Sequence, residues 1–306
     1  MSEALIKFNN VTKDYGAGRG IFDVSFELYR GETLGFVGSN GAGKTTTIRN
    51  IMGFIKSDSG TIDVMGHDPW KESSDIMKHI GYVPGEIAFP DLPTGTDLIK
   101  SQAEFMGVND FNYAKDLTNK LQLDLTANLK RMSKGMKQKT AIVAALIGDP
   151  DILILDEPTT GLDPLMRTVF LDAMEDEKKK GKTILMSSHL YEELEKICDR
   201  VAVIDKGRII DIVDINKIFN RGFTDYKIEF NNADDFNAFK KKGFDVIRVQ
   251  EKYSQVTVSV KDDEVNKLFT SLKSFDVKFI TEVKYNLEKH INKLIADYYK
   301  EKKDVQ

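Results

Sequence analysis

The chain has one cysteine, Cys198, which excludes both an intramolecular disulfide and a zinc cage built from cysteines. It has only seven prolines, and hydrophobic residues make up 41% against 30% charged, a balance that excludes a mostly disordered chain. No stretch approaches the roughly 18 consecutive apolar residues that a membrane-spanning helix needs. The longest apolar runs, Ala141–Ile147 and Ile152–Leu155, suit a buried helix and a buried strand. A basic excess is also missing: 44 Lys and Arg stand against 48 Asp and Glu, which disfavours a whole-protein nucleic-acid binder. The four histidines, His67, His79, His189 and His290, show no metal-ligand spacing. The opening residues, MSEALIKFNN, have neither the basic start nor the apolar run of a signal peptide. Together these absences predict an intracellular chain that can still dock on a membrane partner.

At about 150 residues per domain, 306 residues suggest two domains. The turn-like break Asn220-Arg221-Gly222 predicts a first domain over 1–220 and a second over 221–306. The first opens with short β-like runs at Leu5–Phe8 and Val24–Leu28. Apolar strands then follow at Thr33–Val37, Ile152–Leu155, Thr183–Met186 and Val201–Ile204, with helical stretches between them. Such alternation implies an α/β fold with a mostly parallel sheet covered by helices. The second domain alternates differently. Strands are expected at Tyr226–Phe230, Phe244–Val249, Val256–Val260 and Val277–Val283, and helices at Asp234–Lys242, Asp262–Leu272 and Leu287–Tyr299. That order, βαββαβ plus a helix, is the split βαβ arrangement of a small α+β, ferredoxin-like domain.

The strongest motif is Gly38-Ser39-Asn40-Gly41-Ala42-Gly43-Lys44-Thr45, followed by Thr46. It fits the phosphate-binding loop G-x-x-x-x-G-K-[ST] and lies between a predicted strand and a predicted helix. Glycines let the backbone approach phosphate, and the N–H groups at a helix start face its charge. Lys44 should reach the β- and γ-phosphates, and Thr45 should ligate Mg²⁺. A second motif is Ile152-Leu153-Ile154-Leu155-Asp156-Glu157-Pro158, in which a buried strand delivers two carboxylates at its C-terminal end. Side chains alternate along a strand, so the two acids should point to opposite sides. Asp156 then suits Mg²⁺ and Glu157 suits an attacking water.

A third segment, Ser133-Lys134-Gly135-Met136-Lys137-Gln138, precedes an Ala-rich helical stretch. It resembles the signature motif of ABC ATPases, usually read as L-S-G-G-Q. The resemblance extends from Tyr15 to His189. Tyr15 resembles the aromatic that stacks on adenine, Gly161-Leu162-Asp163 resembles the D-loop, and His189 resembles the switch histidine. The family implies a P-loop ATPase core with a small antiparallel β subdomain and an α-helical subdomain. It also implies ATP and Mg²⁺, with Lys44, Glu157 and His189 catalytic and Ser133 and Gly135 contacting nucleotide. Two positions depart from the pattern. Lys134 and Met136 replace glycine and glutamine in the signature. Gly85, in Gly81-Tyr82-Val83-Pro84-Gly85-Glu86, stands where the family usually has glutamine, so Glu86 or water is expected to complete the metal shell.

The resemblance further implies a homodimer closing on ATP, with Ser133 of one copy covering the nucleotide on Lys44 of the other. The ATPase would drive a separate transmembrane permease, most closely an exporter, from the cytoplasmic face of the membrane, and no nucleic acid is expected as partner. The alternative is a soluble ABC ATPase acting on ribosomes or DNA. Against it, the chain carries one cassette, no sustained heptads between Lys44 and Ser133, and one cysteine. The remaining features have plainer expectations. Gly16-x-Gly18-x-Gly20 reads as a loop, Lys178-Lys179-Lys180 as a solvated helix end, and Cys198 as a small buried hydrophobe. The other three histidines read as structural, and Phe230, Phe236, Phe239 and Phe244 as the core of the second domain.

Overall fold

The computed structural model describes residues 3–304, and its first strands form an antiparallel sheet. β1 (Ala4–Asp14) lies between β2 (Gly20–Tyr29) and, after β3 (Thr33–Val37) and α1 (Lys44–Ile51), β4 (Ser59–Val64). The short α2 (Ser73–Ile76) leads to β5 (Ile80–Val83). Three helices follow, α3 (Gly95–Phe105), α4 (Asn112–Lys120) and α5 (Lys134–Leu146). Then come β6 (Ile152–Asp156), α6 (Pro164–Lys179), β7 (Thr183–Ser187), α7 (Tyr191–Ile197), β8 (Arg200–Asp205) and β9 (Arg208–Asp214). The main sheet has six strands in the order β5-β6-β7-β3-β8-β9, all parallel pairings except β8 with β9.

All five residues of β3, β6 and β7 are buried, as expected of parallel strands with both faces covered. The antiparallel sheet joins this core through aromatic rings. Phe8 stacks on Phe26 at 4.7 Å, and Phe26 meets Phe36 of β3 edge-on at 5.2 Å. Ile48 and Ile51 of α1 complete the same cluster. Each such side chain contributes about 1.5–3 kcal/mol by leaving water. Gly35 in β3 is required by close approach, because a Cβ there would lie 2.9 Å from the Cys198 sulfur.

α3 starts with a capping box: Thr94 accepts from the Asp97 N–H, and the Asp97 carboxylate accepts from the Thr94 N–H. α4 reaches across to α6, where the Tyr113 hydroxyl donates to Glu177 Oε1 at 2.5 Å. Burial, first, and then the Glu177 hydrogen bond push the Tyr113 hydroxyl far above its ordinary pKa. The expected solvated lysine run is corrected here. Lys180 sits 4.3 Å over the Tyr113 ring and pairs with Glu177, while Lys178 pairs with Asp199 at 2.7 Å. Buried Glu177 needs partners, and the helix end supplies them.

The chain divides into two compact units between Asp214 and Ile215. In the second unit α8 (Ile215–Phe219) packs with the last helix. The unit continues with β10 (Phe223–Phe230), α9 (Ala233–Phe239), β11 (Asp245–Gln250), β12 (Gln255–Lys261), α10 (Val265–Leu272), β13 (Val277–Glu282) and α11 (Leu287–Asp304). Its sheet runs β11-β12-β10-β13, wholly antiparallel, which is the split βαβ topology. One face carries Ile228, Phe230, Val256, Val258 and Val260 against Phe236, Phe239, Leu268 and Leu272. Phe244 is half-buried, stacked on Phe239 at 5.4 Å. Glu229 is bonded to Lys278 and Gln255, and these bonds hold its carboxyl below the usual range. Among the described residues no helix is long and apolar enough to cross a membrane.

Candidate active site

The strands β3, β5, β6 and β7 run parallel, so their C-terminal ends meet at one edge of the sheet, where ligands bind in open α/β folds. From β3 the loop Gly38–Gly43 turns into α1. Gly38 admits no side chain, because a Cβ would lie 2.1 Å from the Ile204 carbonyl oxygen. Gly43 caps α1 at φ 114°, and no side chain bonds the N–H groups at the helix start. Such a start presents donors and the positive end of the helix dipole. Lys44 is buried and folds back on its loop, donating to Gly38 O at 2.7 Å and Ser39 O at 3.3 Å.

At the end of β6, Asp156 is 1% exposed. Its Oδ1 accepts from Ser187 Oγ at 2.7 Å, while Oδ2 is buried with no hydrogen-bond partner. Gly85 lies against that oxygen, and a Cβ at position 85 would sit 3.2 Å from Oδ2. Burial, joined by the Asp156 charge, pushes the Tyr82 hydroxyl up to about 12. The two acids do diverge, but strand alternation is not the cause. β6 stops at Asp156, and Glu157 adopts the left-handed conformation at φ 51°. Its N–H is held by Ser187 O at 3.2 Å and Ser187 Oγ at 2.9 Å. The turn brings Glu157 Oε2 to 2.6 Å from His189 Nδ1 and Oε1 to 3.6 Å from Lys44 Nζ.

These groups border a cleft of about 810 Å³. Tyr15, the residues 38–46, Glu86, Glu157 and His189 all line it. Asp156 lies beneath. Ser133 and Gly135 are not among its lining residues: Ser133 caps α5, accepting from the Met136 N–H at 3.2 Å, and a Cβ on Gly135 would come 2.9 Å from Gly161 O. Arg19 and Thr160 line the cleft without having been singled out from the sequence, and so does Lys134, noted there only as a departure from the signature. Nearness to Tyr15, Ser133 and Glu157 was their only signal. Below the cleft, Gln138, Thr159, Ser188 and Glu193 are buried polar residues. Gln138 was detectable as a polar residue facing the Ala-rich stretch, whereas Glu193 sits in an acidic run that reads as a solvated helix face.

The family profile described as ABC transporter matches residues 21–160. The bacitracin transport ATP-binding protein of Bacillus licheniformis is 31% identical to this chain, over 95% of this chain and 97% of its own length. The Nod factor export ATP-binding protein of Burkholderia orbicola is 37% identical over 69% of this chain and 71% of its own. A solved ATP-binding subunit of an ABC transporter superposes with a TM-score of 0.65 at 30% identity, covering 71% of this chain and 92% of that one. With residues 38–46, Glu157 and His189 lining one cleft, this chain belongs to the ABC transporter ATP-binding proteins and is an ATPase of that family.

Proposed function

We propose that the chain hydrolyses ATP in this cleft to drive an exporter, as a homodimer bound to a separate permease at the cytoplasmic face of the membrane. The observation that carries the reading is the Lys44–Glu157–His189 constellation, with Glu157 2.6 Å from His189 and 3.6 Å from Lys44. The adenine would stack on Tyr15 and the phosphates would lie along residues 38–46. Lys44 would exchange its carbonyl acceptors for phosphate oxygens, a stronger charge-assisted pairing. The Glu157 carboxylate would take the proton of a water attacking the γ-phosphorus as the bond to the bridging oxygen breaks and ADP leaves. His189 would hold Glu157 and the water in line.

Thr45 and Asp156 fit the Mg²⁺ that the family uses, since Asp156 Oδ2 is a buried acceptor with no partner. Bound there, the ion supplies neutralisation of phosphate charge. Glu86, on the cleft wall beside Gly85, is the candidate for a further ligand where a glutamine is missing. Ser133 and Gly135, which flank Lys134 without themselves lining the cleft of their own chain, would serve the nucleotide of a second copy. The names of the bacitracin and Nod factor relatives support an exporter.

Glu157→Gln tests the reading. It should keep ATP affinity, slow hydrolysis by about 100-fold or more, and run as a dimer with ATP and Mg²⁺ in size-exclusion chromatography. Isolated from detergent-solubilised cells, it should bring down a polytopic membrane protein. Hydrolysis at the normal rate would remove Glu157 as the base, and recovery of soluble partners alone would remove the transporter assignment.

A further inference from the structure

The floor of the cleft is held from below by a carboxylate with no part in the chemistry above. Glu193, in the first turn of α7, is 4% exposed. Its Oε2 accepts from Ser188 Oγ at 2.7 Å and from Thr159 Oγ1 at 3.0 Å. Ser188 immediately precedes His189, and Thr159 follows Glu157 by two residues. Ser188 Oγ also accepts from the Leu190 N–H at 3.0 Å, so the histidine is bracketed on both sides. The Pro158–Thr159 segment has a second tether: buried Gln138 of α5 donates Nε2 to Pro158 O at 2.8 Å.

We propose that Glu193 is a positioning residue, setting the spacing of Glu157 and His189 through Thr159 and Ser188. The proposal rests on the reading of Glu157 and His189 as the hydrolytic pair. The physical case is that the two residues sit on separate strand ends, 32 positions apart in sequence, and must stay in contact while nucleotide comes and goes. A carboxylate holds two hydroxyls about twice as strongly as a neutral acceptor would. Burying it is costly unless those bonds are made, so the geometry in which both form is strongly preferred. A misplacement of about 1 Å can cost on the order of 10²-fold in rate. Because Gln138 lies on the helix that Ser133 caps, the same segment is also mechanically tied to the signature residues.

The test compares Glu193→Ala, Glu193→Gln, Thr159→Val and Glu157→Gln in the full chain, measuring kcat, ATP affinity and thermal stability. Glu193 Oε1 has no hydrogen-bond partner among the described residues, so Glu193→Gln keeps an acceptor for both hydroxyls, and the cost of burying its N–H₂ without an acceptor is read separately in thermal stability. Glu193→Ala is expected to lower kcat at least about 10-fold with ATP affinity unchanged, and Glu193→Gln to recover most of the loss. Thr159→Val, which removes one bond with little change of shape, should fall between them, and it carries the test if Glu193→Ala does not fold. The proposal is overturned if kcat stays normal, if affinity falls in step with kcat, or if Glu193→Gln is as impaired as Glu193→Ala. Glu157→Gln separates the two readings: if it is inactive while the Glu193 and Thr159 variants are normal, the positioning role alone fails. If Glu157→Gln is fully active, the reading of the pair fails.

Discussion

Lys44, the proposed phosphate contact, is already satisfied within its own loop. Its ammonium is buried, satisfied by two carbonyls of its own loop and faced by Glu157 at 3.6 Å. A buried cation must have such acceptors, and phosphate oxygens are better ones. Lys44→Ala removes a charge-assisted bond of about 1.5–3 kcal/mol. It should therefore weaken ATP binding roughly 10- to 150-fold, read by displacement of a fluorescent nucleotide; unchanged affinity would contradict the phosphate-loop assignment. Glu157 is held differently. A non-glycine residue at φ 51° is uncommon, and it is tolerated here because Ser187 holds its N–H twice. Gly85 contributes by what it lacks, since its bare backbone is what lies against the unpartnered oxygen of Asp156.

Among the elements, helix starts differ in how they are closed. α3, α5, α6 and α9 are closed by the side chains of Thr94, Ser133, Asp163 and Asn232, while α1 opens on Gly43 with none. Side-chain caps contribute stability, and the uncapped start of α1 lies at the cleft. Thr94→Ala should cost about 1 kcal/mol in denaturant unfolding and leave nucleotide affinity intact, because Thr94 lies outside the cleft. A matching loss of affinity would mean that α3 supports the site directly. The strands β3, β6, β7 and β8 were legible as apolar runs, and β10 and β12 of the second unit by alternation. Much of the lining of the candidate cleft was legible too, because residues 38–46 are contiguous. Other parts were hidden for physical reasons. β4 has three exposed residues of six, and β5 overlaps Gly81-Tyr82-Val83-Pro84, where glycine and proline suggest a loop. The bonds of Glu193 and Gln138 join residues up to 34 positions apart, so no local pattern announces them.

For the whole molecule, the lone thiol is a reporter of opening. Cys198 is buried against Gly35, and burial pushes its pKa far above the ordinary thiol range. The native thiol should resist a disulfide reagent at about pH 8, where an unfolded one reacts. Labelling should therefore follow opening of the first unit, since the second has no cysteine. ATP should slow it by stabilising the folded state. Because the folded thiol titrates above the unfolded one, its contribution to stability is complete below about pH 8.5 and declines as pH rises beyond that. Fast labelling of native protein, or stability rising with pH through that range, would contradict the burial. The sheet order has a consequence in time. β3, which leads into the loop 38–43, has β7 and β8 as its neighbours among the described residues, and the Gly31 N–H already donates to Thr183 Oγ1, 152 residues further on. On a ribosome adding about 5–20 residues per second, those neighbours arrive roughly 8–30 s after β3 itself. Throughout that interval a strand whose five residues are all buried in the folded protein waits without its neighbours, so the nascent chain should need shielding before the cleft can form.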